Sequence, residues 1–156
     1  MRLIIAAAGR WKAGGGNASE RALFDHYAGR ITFPLELREI EEKKKLKPAA
    51  LKAREAELLL GHAPDGAVII ALDEGGKALK STEFAQKLGA WRDDGVRDVV
   101  FVIGGADGLD AVVRKRAQLV LSFGTMTWPH LLVRGMLAEQ IYRAQCILNR
   151  HPYHRD

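Results

Sequence analysis

Short apolar runs alternate along the chain with longer segments in which apolar residues recur every three or four positions. The runs 2–8, 67–72 and 99–103 are apolar almost throughout, which is typical of parallel strands buried on both faces of a sheet. Residues 34–40 alternate apolar and polar side chains, as a strand does, and a further strand is predicted around residues 119–121.

Helices are predicted in the segments between these strands. Ser19 and Ser81 have the small polar side chains that begin helices as N-caps, and Pro48 suits a first helical turn. The predicted helices cover residues 20–30, 48–60, 81–94, a short segment after Gly108, and 130–150. Because strand and helix alternate five times, we expect an α/β fold with a mostly parallel sheet and helices on both faces.

Three of the predicted strands end in unusual loops, which contain Leu72-Asp73-Glu74, Gly104-Gly105 and residues 123–128. Ligands of open α/β sheets bind beyond the carboxyl ends of the strands, so a site is expected here. The first strand ends in Gly9-Arg10-Trp11 instead of a dinucleotide fingerprint, and no Walker sequence occurs. The usual phosphate-binding loops are therefore absent. For Gly104-Gly105, an ordinary structural turn remains the alternative to a ligand-binding loop.

Composition and charge narrow the class of protein. The 156 residues carry a formal net charge of +5, which favours a polyanionic partner such as nucleic acid, although many proteins that bind none carry the same charge. Cys146 is the one cysteine, so no internal disulfide forms, as in cytoplasmic proteins. No signal peptide or membrane span is evident, and we expect one cytoplasmic domain over residues 1–156. The charge run 41–47 is expected to be a solvated loop.

The sequence gives little support to a metal site or to the sites of other enzyme classes. His151 and His154 are close in sequence, but with one cysteine in the chain their ligand set is incomplete, so no metal site is predicted. The nucleophile elbow of serine hydrolases is absent. A catalytic carboxylate pair stays open, although no spacing marks one.

Several motifs follow one another in an order that one family shares. They are Leu72-Asp73-x-x-Gly-Lys, Ile103-Gly104-Gly105-x-x-Gly108-Leu109, Leu121-Ser122 through Thr127-x-Pro129-His130, Leu132-Val133-Arg134, Glu139-Gln140-x-Tyr142-Arg143-Ala144 and His151-Pro152-Tyr153-His154-Arg155. In these motifs the chain resembles the SPOUT-class methyltransferases, most closely the small ribosomal RNA large-subunit methyltransferase H (RlmH) group. The N-terminal third, with Gly14-Gly15-Gly16, matches less sharply. For the loop that Trp11 and Lys12 begin, an RNA-contacting flap is one hypothesis.

The resemblance implies an α/β sheet whose C-terminal segment threads through a loop as a deep trefoil knot. It implies a homodimer that uses S-adenosylmethionine to methylate N3 of a pseudouridine in 23S ribosomal RNA of the assembled ribosome. No metal and no membrane are expected. The cofactor would be held largely through backbone groups of Leu72, Gly104, Phe123, Gly124, Thr125, Met126, Thr127 and Trp128. Ordinary core packing is the alternative role for Met126 and Trp128.

The resemblance places the catalytic chemistry at Arg143, Tyr153 and His154. N3 of pseudouridine must lose a proton, and histidine has the side-chain pKa that suits proton removal near neutrality. Tyr153 can stack on the base, and the guanidinium of Arg143 can bind a phosphate or carbonyl oxygen. RNA phosphates are expected to contact Arg134, Arg150 and Arg155. A frayed terminus and a surface ion pair are the alternatives for His154 and Arg143.

The helix over residues 130–150 carries more apolar surface than one sheet face requires. Dimerisation is the preferred explanation, and burial on two sides within one chain is the alternative. In a dimer, the tail of one subunit would complete the site of the other.

Two other functions stay open. One is a ribosomal RNA-binding assembly factor that keeps the fold without chemistry. The other is a different nucleotide-using α/β enzyme such as a dehydrogenase, against which the missing fingerprint argues.

Overall fold

The computed structural model describes residues 1–13 and 15–155, so Gly14 of the glycine-rich loop and Asp156 lie outside the described residues. The described chain forms five parallel strands in the order β2-β1-β4-β3-β5. The strands are β1 (Arg2–Ala8), β2 (Leu35–Ile40), β3 (Val68–Ala78), β4 (Asp98–Ile103) and β5 (Leu119–Ser122). The helices are α1 (Ala18–Ala28), α2 (Pro48–Leu60), α3 (Ser81–Asp93), α4 (Ala111–Arg116) and α5 (His130–Leu148). The predicted α/β class and the alternation of strand and helix are confirmed.

The sheet is buried on both faces because its central strands present apolar side chains in both directions. From β1, Leu3 and Ile5 pack with residues of α1, α3 and α5, while Ile4 and Ala6 pack with residues of α2 and α4. This two-sided burial explains why the strands read as continuous apolar runs in the sequence.

Two predicted helix starts were wrong. The structure begins α1 after Asn17, not at Ser19, because the carbonyl of Asn17 already accepts the amide of Arg21. It begins α3 after Lys80, whose backbone N–H donates to the carboxylate of Glu83 at 2.7 Å. Ser81 therefore lies inside the first turn, and its hydroxyl donates to Gln140 of α5 at 2.8 Å.

The exit loop predicted after residue 72 is instead a continuation of β3. Beyond a bulge between Leu72 and Lys77, β3 pairs again with β5, at Lys77 with Leu121 and at Ala78 with Ser122. Gly76 makes this passage possible, because a Cβ there would lie 2.6 Å from the carbonyl oxygen of Val120. The bulge projects its residues at the carboxyl end of the sheet.

The segment 123–129 carries the chain from the edge strand β5 back to the middle of the sheet. It ends at His130, whose ring lies 3.2 Å from the position of a Cβ on Gly9, just after β1. Since β4 and β3 lie between β1 and β5, the segment crosses their carboxyl ends. Helix α5 then packs between α1 and α3. Within the described residues, no helix is long and apolar enough to span a membrane.

Candidate functional site

A cavity of about 730 Å³ lies at the carboxyl edge of the sheet, where the three unusual loops meet. That volume is in the range of small-molecule and cofactor sites. The structure brings together seven of the eight residues predicted to bind a cofactor, and Thr125 is the one that does not line the cavity. The seven are Leu72, Gly104, Phe123, Gly124, Met126, Thr127 and Trp128.

Side chains at the end of β5 shape the loop that covers the cavity. Ser122 Oγ accepts the backbone N–H of Gly124 at 3.0 Å, and Gly124 has a φ of +112°, which favours glycine. Thr127 Oγ1 donates to the carboxylate of Glu74 at 3.1 Å, which ties the loop to the bulge of β3. The indole N–H of Trp128 donates to the carbonyl of Phe123 at 3.3 Å.

Two large apolar side chains of this loop lie open to solvent. Met126 is 72% exposed and Trp128 is 41% exposed in the single chain. The alternative of core packing for these two residues is therefore wrong. Exposed apolar groups at the rim of a cavity are typical of surfaces that a ligand or partner covers.

The glycine turn after β4 is packed too closely for side chains. A Cβ on Gly104 would lie 2.8 Å from the carbonyl of Gly108, and one on Gly105 would lie 3.0 Å from the carboxylate of Glu55. The turn therefore presents bare backbone to the cavity. The turn is consistent with both interpretations that the sequence left open: a structural turn, and a backbone surface that a ligand can approach.

Carboxylates surround the cavity, a feature that the sequence reasoning missed. Asp73, Glu74 and Asp107 line it, and Arg114 pairs with Asp73 at 3.2 Å. Burial, with Asp107 as a second cause, raises the pKa of Glu55 above its usual value. Because Arg114 pairs with Asp73 and Lys52 also lines the cavity, Glu74 and Asp107 are the lining carboxylates that can attract a cation. The signal in the sequence was Asp73-Glu74 directly after a buried strand end.

The three predicted catalytic residues form a second cluster around Glu139 of α5. The Glu139 carboxylate accepts Arg143 Nε at 2.9 Å and the Tyr153 hydroxyl at 3.0 Å. The Arg143 guanidinium lies 4.9 Å from the centre of the Tyr153 ring, and its Nη1 lies 3.3 Å from His154 Nδ1. Arg143, Tyr153 and His154 are thus in mutual contact, and the tail folds back onto α5.

The hydrogen bonds of this cluster fix its protonation states. Hydrogen bonding to Glu139 raises the pKa of Arg143, which stays charged. Burial, together with the hydrogen bonds to Tyr27 and Glu139, raises the pKa of Tyr153, which stays a neutral donor. Because a guanidinium only donates, His154 Nδ1 accepts from Arg143, and a neutral His154 carries its proton on Nε2.

Within one chain this cluster lies away from the cavity. Arg143 is thirteen residues beyond His130 on α5, which at 1.5 Å per residue corresponds to roughly 20 Å along the helix axis. Arg143, Tyr153 and His154 are not among the residues that line the cavity. The predicted cofactor-binding and catalytic residues therefore do not meet in a single protomer.

The prediction that Arg134 holds RNA phosphates was wrong. Its side chain is 0% exposed, and it donates to Glu39 at 2.9 Å and to the carbonyl of Gly9 at 2.8 Å. The ring of Trp11 lies 4.6 Å from its guanidinium carbon. Arg150 and Arg155 are exposed, as phosphate contacts require, and their role stays a prediction.

This buried arginine anchors the start of the glycine-rich loop. Glu39 Oε2 accepts both Arg134 and the backbone N–H of Trp11, each at 2.9 Å. Trp11 also packs against Phe24. The first residues of the loop are thereby fixed to the core, which argues against a flap that moves as a unit from Trp11 onward.

The described residues contain no group of three or more His, Cys, Asp or Glu side chains placed to hold a metal ion.

Residues 1–154 match the family model described as predicted SPOUT methyltransferase. A protein of Rhodospirillum centenum named ribosomal RNA large subunit methyltransferase H is 57% identical over 155 residues, which cover 99% of each chain. A protein of Rhodospirillum rubrum with the same name is 52% identical over the full length of both chains. Among solved structures, a probable methylase family protein from Haemophilus influenzae matches with a TM-score of 0.57 at 14% identity, covering 99% of this chain and 70% of the other. That likeness concerns the fold.

Proposed function

The chain belongs to the SPOUT methyltransferase family, and from this premise we propose that it methylates N3 of a pseudouridine in 23S ribosomal RNA of the assembled ribosome, with S-adenosylmethionine as methyl donor. The observation that carries the proposal is the full-length identity of 57% to a ribosomal RNA large subunit methyltransferase H. A deep trefoil knot belongs to the same proposal, and the crossing of residues 123–129 over the strand ends supports it.

The cavity has the features that S-adenosylmethionine requires. When bound, this cofactor supplies an electrophilic methyl group on a sulfonium cation. The carboxylates of Glu74 and Asp107 suit a cation, and the bare backbone of Gly104 suits close approach. The exposed side chains of Met126 and Trp128 provide apolar cover for an adenine ring.

The tail cluster suits the nucleobase. The charged guanidinium of Arg143, held by Glu139, would bind a carbonyl oxygen of the base and stabilise the negative charge left when N3 loses its proton. Tyr153 stays neutral and supplies an aromatic face, while its hydroxyl donates to Glu139. With Nδ1 turned to Arg143, His154 would donate from Nε2 to the base. Acting as the proton acceptor would require His154 to leave Arg143.

We infer that the active site is shared between two subunits. Because Arg143 lies roughly 20 Å along α5 from His130, we expect the tail to contact the cavity of a partner more readily than its own. A second cavity of about 630 Å³ runs beside α5, between Phe123 and Glu139, and includes the apolar side chains of Leu79 and Met136. In a symmetric dimer, such a surface lets each tail complete the cavity of the partner.

The test is methyl transfer by purified protein to ribosomes that lack the modification, with calorimetry to measure S-adenosylmethionine binding. We expect binding of the cofactor and transfer to one nucleotide of 23S ribosomal RNA. Ribosome binding without cofactor binding would leave only the assembly-factor function. Binding of NAD in place of S-adenosylmethionine would point to the dehydrogenase reading.

A further inference from the structure

The charged loop between β2 and α2 separates its two signs of charge. In residues 41–47, which read Glu-Glu-Lys-Lys-Lys-Leu-Lys, the acids turn toward neighbouring elements. Glu41 pairs with Arg10 at 3.4 Å, and Glu42 pairs with Arg54 of α2 at 3.0 Å. The charge of Lys44 also helps to lower the pKa of Glu42, so the acids offset only part of the positive charge of the loop.

A further contact joins the loop to its own backbone. Glu42 also accepts the backbone N–H of Lys44 at 3.0 Å. That hydrogen bond and the one from Arg54 lower the pKa of Glu42, which therefore stays ionised near neutral pH. The carboxylate of Glu42 thus joins the loop to its own backbone and to α2.

The lysine side chains of this loop face solvent. Lys43, Lys44, Lys45 and Lys47 are exposed, and in the described part of the chain none of them takes part in an ion pair. Leu46, between them, is 37% exposed. The four side chains form a patch of positive charge, which we call the lysine loop.

The lysine loop lies at the same edge of the sheet as the cavity. It follows the carboxyl end of β2, and in a parallel sheet all carboxyl ends meet at one edge. Helix α2 begins there at Pro48, and Lys52, one turn further, lines the cavity. A polyanion that enters the cavity from this side passes the loop.

We propose that the lysine loop binds phosphate groups of the ribosomal RNA strand that delivers its nucleotide to the cavity. This inference rests on the proposed function, because that function supplies the RNA. Exposed lysines act as point charges toward phosphates, which fixes the position of an RNA without reading its sequence. The loop contains no aromatic side chain for base stacking, so its contribution is electrostatic and depends on salt concentration.

The experiment compares a Lys44→Gln/Lys45→Gln variant with wild-type protein in ribosome binding over a series of salt concentrations. Each lysine that contacts a phosphate contributes about 0.7–0.9 to the slope of log affinity against log salt, so the slope should fall by about 1.4–1.8. A Lys44→Arg/Lys45→Arg variant should keep the wild-type slope, because the charge is retained. The KM for ribosomes should rise in the Gln variant while kcat stays unchanged.

An Arg97→Gln/Arg116→Gln variant is the matched control, since it removes the same charge from two exposed arginines that come shortly before β4 and β5, near the amino edge of the sheet. Its slope should be that of the wild type. An equal fall of the salt slope in both variants, or no fall in the lysine variant, would overturn the inference. Wild-type protein that binds ribosomes but transfers no methyl group would overturn the proposed function instead. Unchanged calorimetric binding of S-adenosylmethionine confirms that the variants fold.

Discussion

At the scale of single residues, the fate of Arg134 shows what a sequence motif conceals. Its basic side chain suggested a phosphate contact, yet it is fully buried between Glu39 and Trp11. The signal was present in the helical spacing, because Arg134 precedes Leu137 and Ile141 by three and seven positions on the apolar stripe. Residue type alone does not reveal burial when a partner such as Glu39 is distant in sequence.

Replacing Arg134 with Ala should destabilise the fold. The change leaves Glu39 without its ion-pair partner and removes donors to the carbonyls of Ala8 and Gly9. Breaking one side of such a buried pair typically costs about 3 kcal/mol or more. Urea unfolding measures this loss of stability. Arg155→Ala, at an exposed position, is the control and should leave the midpoint of unfolding unchanged. Equal midpoints for both variants would contradict the assignment of Arg134 to the core.

His130 should make stability depend on pH. Burial, and secondarily the charge of Arg134, lowers the pKa of His130 below 6.5 in the folded state. A group with a lowered folded pKa stabilises the fold above its unfolded pKa, and that contribution is lost as pH falls through the folded value. The free energy of unfolding should therefore fall from about pH 7 to about pH 5 more steeply in wild type than in His130→Asn. Parallel curves would rule out this effect.

Replacing His154 with Ala should lower kcat while the affinity for S-adenosylmethionine stays unchanged. The reason is that His154 contacts Arg143 and lies apart from the residues that line the cavity. Calorimetry measures the affinity, and single-turnover methyl transfer measures the rate. A variant with wild-type kcat across the pH range would mean that His154 makes no catalytic contact with the nucleobase.

At the scale of secondary structure, burial was predictable and the bounds of β1 and α2 were correct, whereas the end of β3 and the starts of α1 and α3 were not. The strands β1 and β4 are evident from apolar runs because both their faces are covered. The second pairing of β3 with β5 was not evident from the sequence, because Lys77 and Ala78 are polar or small. Their partners in β5 also come from a distant segment of the chain. Likewise, the strand ends identified the loops that form the cavity. The charge of the cavity lining could not be predicted, because it depends on which side chains point inward.

The glycine at position 76 gives a test of the bulge in β3. A side chain there would meet the backbone of Val120, so Gly76→Val should destabilise by about 1–3 kcal/mol, as overpacking does. Gly16→Ala is the control, because its nearest neighbour lies 3.7 Å away and is the flexible side chain of Lys12. Thermal unfolding compares the two. A neutral Gly76→Val would mean that β3 and β5 do not pair beyond the bulge.

At the scale of the whole molecule, two halves of a site lie at different places in one chain. The cavity holds the features of a cofactor site, and the cluster of Arg143, Tyr153 and His154 holds those of a nucleobase site. The sequence supplied both sets of residues but not the distance between them, because that distance depends on the direction of α5. The dimer with exchanged tails that we propose would bring the two together.

Mixing inactive protomers tests the shared site. Arg143→Ala retains the cavity, and Leu72→Arg places a cation where the cofactor would bind. After subunit exchange at equal ratio, activity should return to about a quarter of wild type, because half of the randomly assorted dimers carry one intact composite site. Activity that stays absent in exchanged dimers would mean that each subunit acts alone.

The most direct measurement of the central claim is mass spectrometry of 23S ribosomal RNA from cells with and without this protein. The account predicts that one pseudouridine carries an additional methyl group on N3 when the wild-type protein is present. That methyl group should be missing in cells that lack the protein and in cells that express only Arg143→Ala. Identical 23S ribosomal RNA in all three strains would contradict the account.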